Sequence, residues 1–408
     1  MKKLITDTML MPAYATRFTC IGGDCEDTCC AGWGVTLDKA SFYRYQSSFD
    51  AELRPLFSKH VKRYPHSKSS EDYGHIELMD DECHNCALLN EKKLCRVYER
   101  MGEQALSDTC TYYPRTIHRF GTLHQMTLTL SCPEAARLAL LDQDAFELVG
   151  QEQSVTQGYL GVVKARFGLS LEVMEDVRTL FFQVLLSPDI SLSSRLKVIG
   201  RYCERLHDLL EAKQVAAVPE LLQEMERDLD TGAAMTAFVG QEELPDVQAQ
   251  ITAPFLLAAR DSFQSPHVRK VLDEVSEGLG IHGNFLPEPE VLLRAYETGR
   301  KRLAPALEAV PWLLEHYVIN EFFREIFPWS QDNPKRHYAT LIVRFATVRL
   351  MLVGRAAGRE ETLTPLELAE TVQVACRRYV HDMNFTKQAG QTLAESDWVS
   401  LEKLHALL

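Results

Sequence analysis

Cysteine is nearly missing from two thirds of this chain: the 276 residues after Cys132 contain only Cys203 and Cys376. The total of 11 is odd, which argues against a fully paired disulfide framework. Long apolar runs are missing too. The longest near the C-terminus, Leu341 to Gly354, carries Arg344 and Arg349 and falls short of the roughly 20 residues a membrane span needs. The N-terminus has two lysines, but Asp7 interrupts before a signal-peptide apolar region can form. These absences predict a cytoplasmic protein without a transmembrane segment.

Positive charge is in deficit, with 44 Lys and Arg against 57 Asp and Glu and a net charge of -13. That excludes a general nucleic-acid binder and suits solubility or a partner that presents lysines. No Gly-rich strand-to-helix turn is present, so a conventional Rossmann methyltransferase or dehydrogenase is not indicated. The radical S-adenosylmethionine signature C-x3-C-x2-C is not met. Cys25 and Cys29 have the first spacing, but position 32 is Gly and Cys30 falls in the wrong place. No fixed-length repeat or low-complexity segment occurs, and at 408 residues two or three domains are expected.

What is present is a concentration of thiols. Cys20, Cys25, Cys29 and Cys30 fall within eleven residues, followed by Cys83, Cys86, Cys95, Cys110 and Cys132. In a reducing compartment such spacing points to metal ligands rather than disulfides. Glycines 22, 23, 32 and 34 let the backbone curl so that several side chains converge. The neighbours Cys29 and Cys30 point in different directions, so one can serve a first centre and the other a second centre or the core. Cys83-x2-Cys86 is compatible with zinc, but C-x4-C-x3-C-C is not a zinc knuckle. Eight or nine thiols exceed one zinc ion and suit iron–sulfur clusters, which take four cysteines each. Spacing leaves zinc open as the alternative metal.

Around these thiols the pattern predicts a helix from Asp38 to Arg63, with Phe42, Tyr45, Phe49 and Leu53 inward. Short strands are expected at 75–78 and 87–89, a helix over 96–106, and a hairpin of 116–120 with 123–130. In the second hairpin strand Met126, Leu128 and Leu130 alternate with Thr127, Thr129 and Ser131, the period of a half-buried strand. Cys132-Pro133-Glu134 reads as a helix start that favours a thiolate.

From about residue 134 the chain reads as helical, with helices expected over 173–186, 192–210, 218–229, 268–279, 291–307, 311–327, 336–353 and 365–382. The acidic stretch Gly240 to Gln250 is expected to be an exposed loop. The fold class is therefore mainly α: a small cysteine-rich N-terminal domain (1–135) with short β-hairpins, then a large all-helical domain (136–408). Phe322, Phe323, Phe327 and Trp329 read as packing core rather than a cofactor wall. Arg377, Arg378 and Tyr379, with His381 and Asp382, read as a solvated face. His84, His118 and His124 are candidate ligands or bases but read more readily as surface histidines. Trp33, Tyr112, Tyr113 and Arg115 are candidates for lining the site.

Several blocks carry a family resemblance. Pro12-Ala-Tyr, Phe18-x-Cys20-Ile-Gly-x2-Cys25-Glu-Asp-x-Cys29-Cys30-x-Gly-Trp33 and Leu37-Asp38 form the first. Cys86-x-Leu-Leu, Leu94-Cys95, Leu106-Ser-x-Thr-Cys110-x2-Tyr-Pro-Arg115 and Leu128-Thr-Leu-Ser-Cys-Pro-Glu-Ala-Ala136 form the second. With Glu315 to Trp329, they resemble the bacterial flagellin lysine-N-methylase family, whose first half is related to small cysteine-cluster proteins. The resemblance implies methyl transfer from S-adenosylmethionine to lysines of flagellin, and an iron–sulfur cluster thought to be [4Fe-4S]. It implies Cys20, Cys25, Cys29, Cys30, Cys86, Cys95, Cys110 and Cys132 as the metal set, with Cys83 an extra. It assigns no catalytic or S-adenosylmethionine-binding residue. Two other classes remain: a zinc- or iron–sulfur-stapled interaction module without catalysis, and a redox or electron-transfer protein. An oligomer is compatible with the sequence.

Overall fold

The computed structural model describes residues 4–232, 236, 238, 241, 243–258, 265–379 and 400–408. The chain opens with β1 (Leu4–Pro12) and the short α1 (Ala13–Thr16). The first cysteines follow in a loop with a 3-10 turn at Gly22–Asp24. Next come β2 (Val35–Leu37), α2 (Lys39–Gln46), α3 (Leu53–His60), β3 (Val61–Arg63) and β4 (Gly74–Ile76). The sequence from there forms α4 (Arg96–Met101), α5 (Asp108–Tyr112), β5 (Arg115–Phe120), β6 (Leu123–Leu128) and α6 (Pro133–Leu140). The strands end with β7 (Leu148–Thr156) and β8 (Gly161–Val163).

Two sheets result. The larger has the order β7-β1-β6-β5-β8, and the smaller is β2-β4-β3, antiparallel throughout. Strand β1 runs antiparallel to β7 from Leu4↔Thr156 to Pro12↔Leu148, and parallel to β6 at Met9↔His124. The expected hairpin is present as β5 and β6, paired from Arg115↔Leu128 to Phe120↔Leu123.

Several expectations need correction. The helix expected over 38–63 is two helices and a strand, because the Asp50 carboxylate accepts the N–H groups of Glu52 (3.0 Å) and Leu53 (2.9 Å) and starts a second helix. Phe49, on the break, is 91% exposed. Residues 87–89 form no strand; single bridges join Leu78 to Cys86 and Leu89 to Cys95. Gly102, at φ 77°, ends α4 and leaves a 3-10 turn where the helix was expected to continue. In the second hairpin strand Thr127 and Thr129 are as buried as Met126 and Leu128, because a helix covers their face. Strands β7 and β8 lie in the stretch expected to be helical. β7 is a largely exposed edge strand, so its polar residues carry no apolar alternation.

The rest is helical: α7 (Leu171–Leu185), α8 (Leu192–Glu211), α9 (Val218–Thr231), α10 (Pro245–Ala258), α11 (Pro266–Leu279) and α12 (Pro289–Glu308). They are followed by α13 (Leu313–Arg324), α14 (Pro334–Ala357), α15 (Pro365–Tyr379) and α16 (Leu401–Ala406). Ser170, Ser191, Ser265 and Asn333 cap their helices with side-chain oxygens, and Pro266, Pro289 and Pro334 occupy first-turn positions. The loop expected at 240–250 is corrected from residue 245 onward: α10 begins there, Ala249 is buried, and Gln248 accepts the Tyr296 hydroxyl at 3.0 Å. Acidic composition hid a helix whose first buried residues are Gln248 and Ala249.

Helix α14 is the axis of this half and is buried along almost its whole length. Its neighbours approach backbone to backbone. A Cβ on Gly278 would stand 1.7 Å from the Gly354 carbonyl oxygen, and one on Gly299 would stand 2.1 Å from that of Val353. Helix α13 covers β6: the Tyr14 hydroxyl donates to Asn320 Oδ1 at 2.6 Å, and Asn320 Nδ2 donates to the Leu128 carbonyl at 3.1 Å. The larger sheet therefore shares one core with the helices, running from Met9 to Leu408. Residues 35–110 hold a second, smaller core built on Leu37, Tyr45, Phe57 and Leu88. Mainly α with a small β-containing N-terminal part is the architecture. No described helix is long and apolar enough to cross a membrane.

Candidate metal centre

Five of the N-terminal cysteines pack on one or other of the two cores. Cys30, Cys86, Cys95 and Cys110 belong to or pack on the small core, whereas Cys132 packs on the large one. Local structure sets each in place. The Cys86 N–H donates to the Cys30 carbonyl at 2.7 Å, and the Gly32 N–H donates to the His84 carbonyl at 3.0 Å. These bonds strap the Cys83–Cys86 loop onto the Cys29–Gly32 turn. Gly32 sits at φ 76°, in the left-handed region that a side chain would strain. Cys95 and Cys132 are the N-cap residues of α4 and α6, and the Ser107 hydroxyl that caps α5 accepts the Cys110 N–H at 3.3 Å.

Aromatic groups wall one side. Trp33 Nε1 donates to the Cys29 carbonyl at 2.5 Å, and its ring lies 5.9 Å from that of Tyr113. The Tyr113 hydroxyl pairs with Ser131, the neighbour of Cys132, at 3.1 Å. Trp33 and Tyr113 thus line the thiols as expected. Tyr112 and Arg115 do not: Tyr112 stacks on Tyr159 and pairs with Thr156, and Arg115 lies over the Phe18 ring.

Burial dominates the electrostatics. It pushes the Cys25 and Cys110 thiols up to about 12 and Cys132 up to about 11, the last against the helix N–H groups of Ala135 and Glu134. The helix N–H groups pull Cys132 toward the thiolate, and desolvation outweighs them. Cys86 and Cys95 are also raised by burial. Cys29 and Cys30 share a hydrogen bond that raises Cys29 and, helped by Thr28 and Arg377, lowers Cys30 to about 7.

The helical half reaches the cysteine loop through three side chains. Gln373 on α15 donates to the Asp27 carboxylate at 2.8 Å and to the Ser131 carbonyl at 2.9 Å. The Ser265 hydroxyl, at the cap of α11, donates to Asp27 at 2.9 Å. Arg377 donates to the Ala31 carbonyl at 2.7 Å and lies 3.6 Å from Asp27. Arg377 is thus no solvated side chain, and that expectation is corrected: its guanidinium is docked across the Cys29–Cys30 turn. His381 and Asp382 lie outside the described residues. Asp27, buried to 2% exposure, and Gln373 were missed in the sequence; an acid in a cysteine loop and a glutamine in an amphipathic helix carry no signal of their meeting.

His84 lies in the strapped Cys83–Cys86 loop, whereas His118 and His124 stand elsewhere. His118 shares its environment with Arg178 and Arg324, and His124 lies 3.1 Å from the Asp7 carboxylate. Phe322, Phe323, Phe327 and Trp329 are buried, and Trp329 Nε1 donates to the Met174 carbonyl at 2.8 Å, so they are packing core.

Among the described residues no group of three or more His, Cys, Asp or Glu is closed around an ion position. What fits a metal cluster is the chemistry of the donors. Burial raises the soft thiols of Cys25, Cys86, Cys95, Cys110 and Cys132, so these need an added cation before they ionise. Cys83 is not among the thiols that neighbour one another.

The family profile of the FliB lysine N-methylase C-terminal domain matches residues 178–407. The Lysine-N-methylases of Salmonella typhimurium (strain LT2) and Salmonella choleraesuis (strain SC-B67) are each 37% identical to this chain over 150 residues, 37% of its length. The chain spans 36% of the length of either. The flagellar biosynthetic protein FliU of Salmonella muenchen is also 37% identical over 150 residues, which span 86% of that protein. No solved structure matches. With more than half its length matched by the profile, the chain belongs to the FliB lysine N-methylase family.

Proposed function

We propose that this protein is an S-adenosylmethionine-dependent lysine N-methyltransferase that acts on flagellin and carries iron–sulfur chemistry on Cys20, Cys25, Cys29, Cys30, Cys86, Cys95, Cys110 and Cys132. The observation that carries this reading is the joint between the halves. Gln373 and Arg377, inside the family-matched region, grip Asp27 and Ala31 inside the cysteine loop. The thiol centre and the methylase half are parts of one site.

Methylation at lysine requires a neutral amine in line with the sulfonium methyl. The amine nitrogen forms the new N–C bond as the S–C bond breaks, S-adenosylhomocysteine leaves, and the nitrogen gives its proton to a base or to water. Desolvation beside apolar walls supplies the neutral amine by lowering the lysine pKa. Trp33 and Tyr113 offer such walls next to Cys29. A bound cluster would supply one-electron redox chemistry or, at an open iron, a Lewis-acidic contact. Thiols drawn from the eight would hold it, Arg377 and the Ser107 cap would orient Cys30 and Cys110, and the Trp33–Tyr113 pair would exclude water.

The test is methyl incorporation from labelled S-adenosylmethionine into purified flagellin by protein prepared without oxygen. Label on flagellin lysines, located by peptide mass, supports the reading. No label on flagellin from metal-replete protein would overturn it.

A further inference from the structure

A strand that ends a sheet presents a row of unpaired N–H and C=O groups, and folds commonly keep such edges short. Among the described strands, β2, β3 and β8 are edges of three residues each. The remaining edge, β7, is nine residues long and ends the larger sheet. Its register with β1 runs unbroken from Leu4↔Thr156 to Pro12↔Leu148, so no bulge twists the edge away, and it holds no proline or lysine. From Leu148 to Ser154 every residue is exposed or half-buried. Both ends are nonetheless held firmly. The Ala13 and Tyr14 N–H groups donate to the Glu147 and Ala145 carbonyls at 2.8 and 3.0 Å, and the Thr156 N–H donates to the Tyr112 hydroxyl at 2.6 Å. Tyr112 shares α5 with Cys110, so the strand is mounted on the cysteine-bearing part of the fold.

Charge selects the partner of this edge. Between Arg137 and Lys164 the chain carries Asp142, Asp144, Glu147 and Glu152 and no lysine or arginine. Glu152, at the middle of β7, is exposed and joins no ion pair among the described residues. Its side chain shares the outer face with Thr6, Thr8 and Ser154, opposite the face that buries Met9 and Val155. A second copy of β7 laid over the full strand, parallel or antiparallel, would set Glu152 against Glu152, and like charges directly opposite are unfavourable. A lysine in that place is favourable for the same reason. We propose that β7 is a docking edge for an extended, lysine-bearing segment of the protein substrate, which joins the larger sheet beside β7 with a lysine opposite Glu152. Main-chain hydrogen bonds supply the affinity, and Glu152 selects for lysine. Because β7 is already fixed at both ends, only the incoming segment loses freedom on docking.

This inference rests on the methylase reading for the lysines of the partner, and the experiment separates the two. Hydrogen exchange of the full, metal-replete chain is followed by mass spectrometry with and without purified flagellin, and binding and methyl incorporation are measured in parallel. Flagellin should slow amide exchange over 148–156. Glu152→Lys should weaken flagellin binding roughly tenfold, and added salt should weaken the wild type more than Glu152→Gln. Glu152 is exposed on an edge, so neither substitution disturbs the core. Protection of β7 without methyl transfer would uphold the edge and sink the methylase reading. Methyl transfer while β7 exchanges freely would keep the methylase and overturn the edge. Unchanged binding by Glu152→Lys, or no flagellin binding at all, would overturn it as well. Protection that rises with protein concentration alone would assign β7 to a second copy and equally overturn the proposal.

Discussion

The Asp27 carboxylate and the Gln373 amide, 346 positions apart in sequence, meet at 2.8 Å in the interior. Asp27 also receives Ser265 and faces Arg377, so its carboxylate is fully engaged. Asp27→Ala would remove one acceptor of the buried Gln373 amide, the acceptor of Ser265 and the carboxylate that faces Arg377. The expected cost is about 3 kcal/mol, the range for breaking a buried charged group's partners. Urea unfolding measures it, with exposed Asp24→Ala as the control expected to stay within about 0.5 kcal/mol. Equal stability of the two variants would refute the role given to Asp27.

Arg377 acts at the same joint but through charge. Arg377→Gln should leave helix content intact and speed iron loss to a chelator roughly tenfold, the scale of an outer contact on a metal ligand. Arg377→Lys should fall between, because one ammonium cannot replace both Nη2, which serves the Thr28 and Ala31 carbonyls, and Nε, which faces Asp27. Unchanged release in both variants would leave Arg377 a mere packing residue.

The glycines facing α14 give a steric prediction. Gly278→Ala places a methyl 1.7 Å from the Gly354 oxygen, and backbone on both sides must shift. A loss of at least about 3 kcal/mol is expected, against the usual slight gain of alanine in a helix. Gly283→Ala has open space but φ 59°, so it should cost only about 1 kcal/mol. Thermal unfolding midpoints rank the two, and the reverse order would contradict the packing described.

Two histidines predict acid sensitivity. Burial pushes His118 down to about 4, with Arg178 and Arg324 adding to it, and burial beside Lys197 does the same to His405. The unfolded chain takes up these protons near pH 6.5 whereas the folded one does not. Stability is therefore complete above pH 6.5 and falls as the pH drops toward 4, by roughly 2–3 kcal/mol for each histidine. His118→Gln and His405→Gln should each flatten that slope in denaturant titrations between pH 7 and 4.5. An unchanged slope would show that these histidines protonate freely in the fold.

The sequence disclosed what local pattern can carry. The period of α14 was legible over 336–353, because Leu341, Val348 and Leu352 recur at helical spacing, and the structure extends it by only a few residues. The thiols were legible as a set because their density has no other use. The surroundings of Cys110 and Cys132 were not, since the two sit on helices whose placement depends on two separate cores. Arg377 was misread because Arg-Arg-Tyr looks the same on a solvated face as on a docked one, and only its distant carbonyl partners distinguish them. Strand β7 was missed because an edge strand with polar residues exposed on both faces lacks an apolar alternation.

The long reach between Asp27 and Gln373 has a consequence for biosynthesis. At ordinary synthesis rates the loop holding Asp27 leaves the ribosome about 17–70 s before Gln373 is made. For that interval the early thiols are in place while the helix that covers their turn does not yet exist. The Cys29–Cys30 turn is therefore uncovered until the last helices form, and docking of Arg377 covers it.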